Sequence, residues 1–96
     1  MMHHMSKISR CEVTRCAYNQ DHMCHALAIT VGGGTDHMCD TFFEAEAKGG
    51  DPEASGGVGA CRSTSCMYNE GYECQAAQIV VGREEHPADC LTFEET

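Results

Sequence analysis

The sequence has no tryptophan, and only three Phe and three Tyr among its 96 residues. A chain so short and so poor in large apolar side chains struggles to hold a fold by packing alone. Basic residues are also few. Six Lys and Arg stand against fifteen Asp and Glu, for a formal charge of -9. The six are scattered, with no stripe to track a phosphate backbone or an anionic bilayer, so neither nucleic acid nor membrane is an expected partner. No run approaches the ~18 apolar residues of a membrane span. The opening "MMHHMSKISR" lacks the apolar core of a secretory signal, so the expected setting is the cytoplasm. The glycines Gly32, Gly33 and Gly34 are followed by no Lys-Ser or Lys-Thr, so no phosphate-cradling loop is present.

Cysteine is what the chain has in excess: eight residues, enough to make a covalent or metal scaffold the leading idea. They lie in an internal repeat. Shifted by fifty positions, Cys11, Cys16 and Cys24 fall on Cys61, Cys66 and Cys74, and Cys39 falls on Cys90 after a one-residue insertion. The same register matches Tyr18-Asn19 with Tyr68-Asn69, Ala26 with Ala76, Ile29 with Ile79 and Val31-Gly32 with Val81-Gly82. It closes with Thr41-Phe42 against Thr92-Phe93. Each copy reads C-x4-C-x-Y-N-x4-C-x-A-x2-I-x-V-G, then a variable turn, then C-x-T-F. Residues 11–43 and 61–94 are therefore expected to be two homologous modules. Residues 1–10 are expected as a flexible tail. Residues 44–60, rich in Gly, Ala and Ser, read as a linker.

Within a copy, "ALAITV" (residues 26–31) and "AAQIVV" (residues 76–81) read as strands. Leu27, Ile29 and Val31 alternate onto one face, as do Ala77, Ile79 and Val81. The segments from Cys39 to Phe43 and from Cys90 to Phe93 read as returning strands of hairpins, and Tyr-Asn reads as a turn opener. Little helix is expected.

With so small a core, four cysteines are the obvious staple of each copy, and the residues between them are free to drift. Four thiolates can enclose zinc tetrahedrally in a closed structural site, and binding then supplies folding free energy. Four cysteines can instead form two disulfides, with three possible pairings per copy. A cytoplasmic setting favours zinc; the wide C-x4-C spacing favours neither. The expected cofactor is zinc, two ions per chain, on Cys11, Cys16, Cys24 and Cys39 and on Cys61, Cys66, Cys74 and Cys90.

Histidine and methionine beside cysteine in "DHMCH" and "DHMCD" suit soft metals, and His3 and His4 near the N-terminus could chelate Cu(II) or Ni(II). His3, His4, His22, His25 and His37 are therefore secondary metal candidates. The second copy lacks the equivalents, so solvated loop or tail residues are the plainer reading. No nucleophilic cysteine with a partnered base stands out, so no enzymatic activity is expected.

The pattern Cys11-x4-Cys16-x-Tyr18-Asn19-x4-Cys24-x-Ala26-x2-Ile29-x-Val31, closed by Cys39-x-Thr41-Phe42, resembles the small bacterial Domain of Unknown Function 1540 family, and residues 61–93 resemble it equally well. The resemblance implies a four-cysteine domain suspected of metal binding, and no activity. The expected fold is thus small, metal-stapled and β-rich: two tandem zinc-ribbon-like modules with short hairpins, folding separately. The expected function is that of a small zinc-binding protein acting through structure or protein contacts, as a monomer. The alternatives are metal storage or delivery, and a thiol–disulfide redox or disulfide-stapled module.

Overall fold

The computed structural model describes residues 5–32 and 36–95, and among them there is no helix. The described residues hold nine short strands, in order: β1 (Ser6–Cys11), β2 (Asn19–Gln20), β3 (Met23–Cys24), β4 (Ile29–Val31), β5 (Gly57–Cys61), β6 (Asn69–Glu70), β7 (Glu73–Cys74), β8 (Gln78–Gly82) and β9 (Asp89–Cys90).

The Tyr-Asn element of each copy builds a tight hairpin. Strands β2 and β3 pair antiparallel across Asp21-His22, whose φ angles are 56° and 64°, and β6 and β7 pair across Gly71-Tyr72, at 59° and 66°. Two successive left-handed residues match the twist of the flanking strands, the requirement of a two-residue hairpin. The asparagine explains why Tyr-Asn kept its second member. Asn19 Nδ2 donates to the Cys11 carbonyl at 2.7 Å, and Asn19 Oδ1 accepts from the His22 amide at 3.3 Å. The Cys11 amide in turn donates to the His22 carbonyl at 2.9 Å. Asn69 repeats this on Cys61 and Tyr72, at 2.8 and 3.3 Å. One side chain thus fixes the turn and anchors it to the first cysteine.

The remaining strands form one five-stranded sheet in the order β4-β5-β1-β8-β9. Strands of the two copies alternate across its first four positions. Strand β1 of the first copy lies parallel to β8 of the second, with Ile8 opposite Ile79 and Cys11 opposite Val81. Reciprocally, β5 of the second copy lies parallel to β4 of the first, with Ile29 opposite Val58 and Val31 opposite Cys61. The two first strands meet antiparallel at the centre, Lys7 opposite Gly57. Those two positions are equivalent under the fifty-residue shift, so a pseudo-two-fold axis passes between them. At the margins Val31 bridges Cys39, Val81 pairs with Cys90, and Met38 bridges Asp89. The last contact joins the two outer segments, so the sheet returns on itself and leaves little open edge.

The core follows from this exchange. Ile8, Val58 and Ile79 are at most 1% exposed, and Ile29, Val31 and Val81 are buried beside them. Each copy supplies half of the packed face, so neither has a core of its own.

Several expectations change accordingly. Residues 6–10, expected in a tail, form most of a central strand, and residues 57–60, expected in the linker, form most of another. Separate modules give way to one shared sheet, because each first strand finds its partners in the other copy. Leu27 is 72% exposed and lies outside β4, so the alternation holds only for Ile29 and Val31. The returning strands shrink to β9 and to single bridges at Met38 and Cys39. Here Thr41 and Thr92 interrupt the ladder: their Oγ1 atoms accept from the amides of Thr30 and Val80, both at 3.0 Å. The linker is docked on the first copy. The Gly49 amide donates to Ala17, the Asp51 amide to His25, and Lys48 Nζ to Thr14, at 2.8, 2.9 and 2.8 Å.

Candidate metal centre

The fold gathers the cysteines by copy. Cys11 ends β1, Cys24 ends β3, Cys16 lies in the turn between β1 and β2, and Cys39 returns beside Val31. All four line one small cavity. Cys61, Cys66, Cys74 and Cys90 line a second. Each cavity is about 10 Å³, the space of a single ion or water molecule. Ile8, Tyr18 and Phe42 wall the first; Val58, Tyr68 and Phe93 wall the second. Tyr18, Phe42, Tyr68 and Phe93 are the repeated aromatics, partly buried and packed against the core that holds the cysteines. All eight cysteines are free of disulfides, and all but the half-buried Cys74 are buried.

Electrostatics set two influences against each other at these sulfurs. Burial disfavours the thiolate and pushes the Cys39 thiol up to about 12, with the neighbouring Cys16 and Cys24 adding to the rise. Burial likewise raises Cys90 to about 11, with Cys74 and Cys66 contributing. Cys11 and Cys24 are raised, again chiefly by burial. In the opposite sense, backbone amides donate to the sulfurs: Thr41 and Phe42 to Cys39, Thr92 and Phe93 to Cys90, Val13 to Cys11 and Ala26 to Cys24. Such donors favour the charged form. At Cys39 and Cys90 burial outweighs these donors, whereas a cation beside the sulfurs would tip the balance to thiolate.

As they stand, no three of the described His, Cys, Asp or Glu side chains converge tightly enough to form a metal-ligand group. Four thiols nonetheless line each of the two cavities. Donor chemistry, burial and cavity size fit a soft, four-coordinate ion.

The histidines separate into different roles. His3 and His4 lie outside the described residues. His22 is an exposed turn residue. His25 Nδ1 donates to the Ala54 carbonyl at 2.9 Å, which pins the linker. Neither His22 nor His25 lines a cysteine cavity. His37 does, but in the second cavity, although it belongs to the first copy. Its ring stacks on Phe93 at 4.4 Å, and Nε2 meets Glu84 Oε1 at 3.2 Å. The equivalent residue of the second copy is Ala88, which walls the first cavity. Sequence reasoning found His37 from its neighbours but not its placement across the copies.

It also missed Asp89. This carboxylate is fully buried beside Cys90, accepting from the His86 amide at 2.8 Å and from His86 Nδ1 at 2.9 Å. The hydrogen bond to Asp89 holds the His86 imidazole above its usual range. The only sequence signal was the i, i+3 spacing of His and Asp.

The model for the Domain of Unknown Function (DUF1540) family matches residues 10–42 and again 60–93, most of the chain. The chain belongs to the DUF1540 family. It carries two tandem copies of that domain. No curated protein and no solved structure matches it. In this DUF1540 chain the two matched segments meet in one sheet and are not beads on a string.

Proposed function

We propose that this DUF1540 chain is a small zinc-binding protein in which each copy's four cysteines hold one structural zinc ion, and that it acts through protein contacts. The observation that carries this reading is the collection of four free thiols from each copy around one buried, ion-sized cavity. In this reading Cys11, Cys16, Cys24 and Cys39 hold the first ion, and Cys61, Cys66, Cys74 and Cys90 the second. Zinc would supply a positive charge that makes the thiolate form stable where burial alone opposes it. The amides of Thr41, Phe42, Thr92 and Phe93 would orient and neutralise the terminal ligands.

Several features separate this from other functions. A cavity of about 10 Å³ has no room for an organic substrate, which supports a structural rather than a catalytic site. Thiols raised by burial are poor nucleophiles, which counts against redox cycling through these cysteines. Burial of seven of the eight sulfurs favours retention of metal over rapid delivery. No helix among the described residues is long and apolar enough to cross a membrane. The test is metal analysis of the untagged protein, with circular dichroism followed during chelator addition. Near two equivalents of zinc, and loss of the β signal as zinc leaves, support the reading. A metal-free protein with an unchanged spectrum overturns it.

A further inference from the structure

The two cysteine cavities are built from each other's scaffolds. The first is closed on one side by Val81 and Ala88 of the second copy. The second is closed by Val31 and His37 of the first. Val81 is the pivot of one connection. It is paired with Cys11, a first-site cysteine, and with Cys90, a second-site cysteine. Val31 is the pivot of the other, paired with Cys61 of the second site and bridged to Cys39 of the first.

Backbone hydrogen bonds tie the same residues reciprocally. The Glu12 amide donates to Val81 at 2.8 Å, and the Arg62 amide to Val31 at 2.7 Å. The Cys39 amide donates to Ala88 at 2.9 Å, and the Cys90 amide to His37 at 2.8 Å. Terminal cysteines of the two sites are thus held by carbonyls from the opposite copy. A closed packed sheet has few ways to order one half while the other stays loose, because the buried Ile8 and Ile79 are paired on adjacent strands across the boundary between copies.

We propose that the two sites load and release metal cooperatively, so that the protein passes between a metal-free and a doubly loaded form with little of the singly loaded one. This rests on the zinc reading above and adds a regulation to it. Binding at one site orders two of its cysteine strands. Those strands flank Val81 and Val31, whose other neighbours are cysteines of the second site. The first ion therefore meets the cost of arranging the shared sheet, and the second ion binds to a sheet already arranged. Linkage makes the effect mutual: each site strengthens the other by the same factor, commonly ~5–150-fold. As a consequence the chain responds to free zinc as a switch with a narrow range, not as two independent buffers.

The test is zinc titration of the reduced, metal-free full chain, read by native mass spectrometry at one equivalent. Independent equal sites put about half of the molecules in the singly loaded form, and tenfold coupling lowers that to roughly a quarter. A singly loaded fraction of a quarter or less supports the proposal. A fraction of half or more overturns it while leaving the zinc reading intact. No uptake at either site overturns both. As a second arm, Cys66→Ser removes a second-site ligand that lies outside the shared sheet. It should weaken zinc at the first site about tenfold or more in chelator competition. Unchanged first-site affinity contradicts the coupling. If the variant does not fold, the titration of the unaltered chain still decides.

Discussion

Replacement of Ile8 by Ala probes the shared sheet at its centre. Ile8 is fully buried, faces Ile79 across the boundary between copies, and forms part of the wall of the first cysteine cavity. The substitution removes three carbon groups, each worth about 0.8 kcal/mol on burial, for a transfer loss of roughly 2.4 kcal/mol. A closed, tightly paired sheet collapses poorly around the vacancy, so a cavity contribution adds to this and the total should fall at ~3–4 kcal/mol. A domain of this size is stable by only ~5–14 kcal/mol, so the loss is a large fraction of the whole. The assay is denaturant unfolding followed by circular dichroism, with the protein reduced and its metal content held constant. One transition should move to lower denaturant without splitting, because both copies depend on the same strand. Leu27→Ala is the control: at 72% exposure it should change stability by less than about 0.5 kcal/mol. A loss below ~1 kcal/mol at Ile8, or an effect confined to one of two separate transitions, would refute the interleaved sheet.

Asn19→Ala should cost about 1–3 kcal/mol in the same assay, because it leaves the Cys11 carbonyl without its side-chain donor; Asn69→Ala should cost less, since Asn69 is only half-buried. Fragments 1–48 and 56–96 should each fail to fold alone with metal supplied and should recover the β signal on mixing, since β1 and β5 find parallel partners only in the opposite copy. Two homogeneous, folded fragments would argue against this. The pH dependence should invert with metal. In the metal-free form the Cys39 and Cys90 thiols are raised to about 12 and about 11 above an ordinary 9.0, so their contribution is present below pH 9 and lost as pH climbs through the raised values. In the zinc form the ligands are thiolates with depressed values, so their contribution is present at neutral pH and lost as pH falls through the depressed range. Thermal melts at acid, neutral and alkaline pH, with and without zinc, read both arms. Loss of stability in the same direction for both forms would contradict the thiol assignment.

The duplication, the four cysteines per copy and the turn at Tyr-Asn could all be read from the sequence, since each is a local pattern written twice. Asn19 and Asn69 proved to hold both the hairpin and the first cysteine, which a repeated polar residue in a drifting segment already hinted. The exchange of first strands was not legible. A duplication says that two copies exist and nothing about whether a strand pairs within its copy or with the other, because pairing across some seventy residues, as between Ile8 and Ile79, leaves no local period. Strand β5 was hidden in "SGGVGAC", where glycine reads as a breaker. Here Gly56 is required by close approach: its φ is +73°, and a Cβ would lie 3.0 Å from the Cys24 carbonyl oxygen. Leu27 misled in the other direction. Its alternation with Ile29 and Val31 was formally correct for a strand, but β4 starts two residues later.

The most direct measurement is the mass of the intact, untagged chain under native conditions and again after denaturation in acid. Two bound zinc ions, each displacing two protons, should add about 127 Da to the fully reduced polypeptide and disappear on denaturation. A native mass about 8 Da below the reduced polypeptide, unchanged by acid, would mean four disulfides and no zinc, and would contradict the assignment of these cysteines as metal ligands.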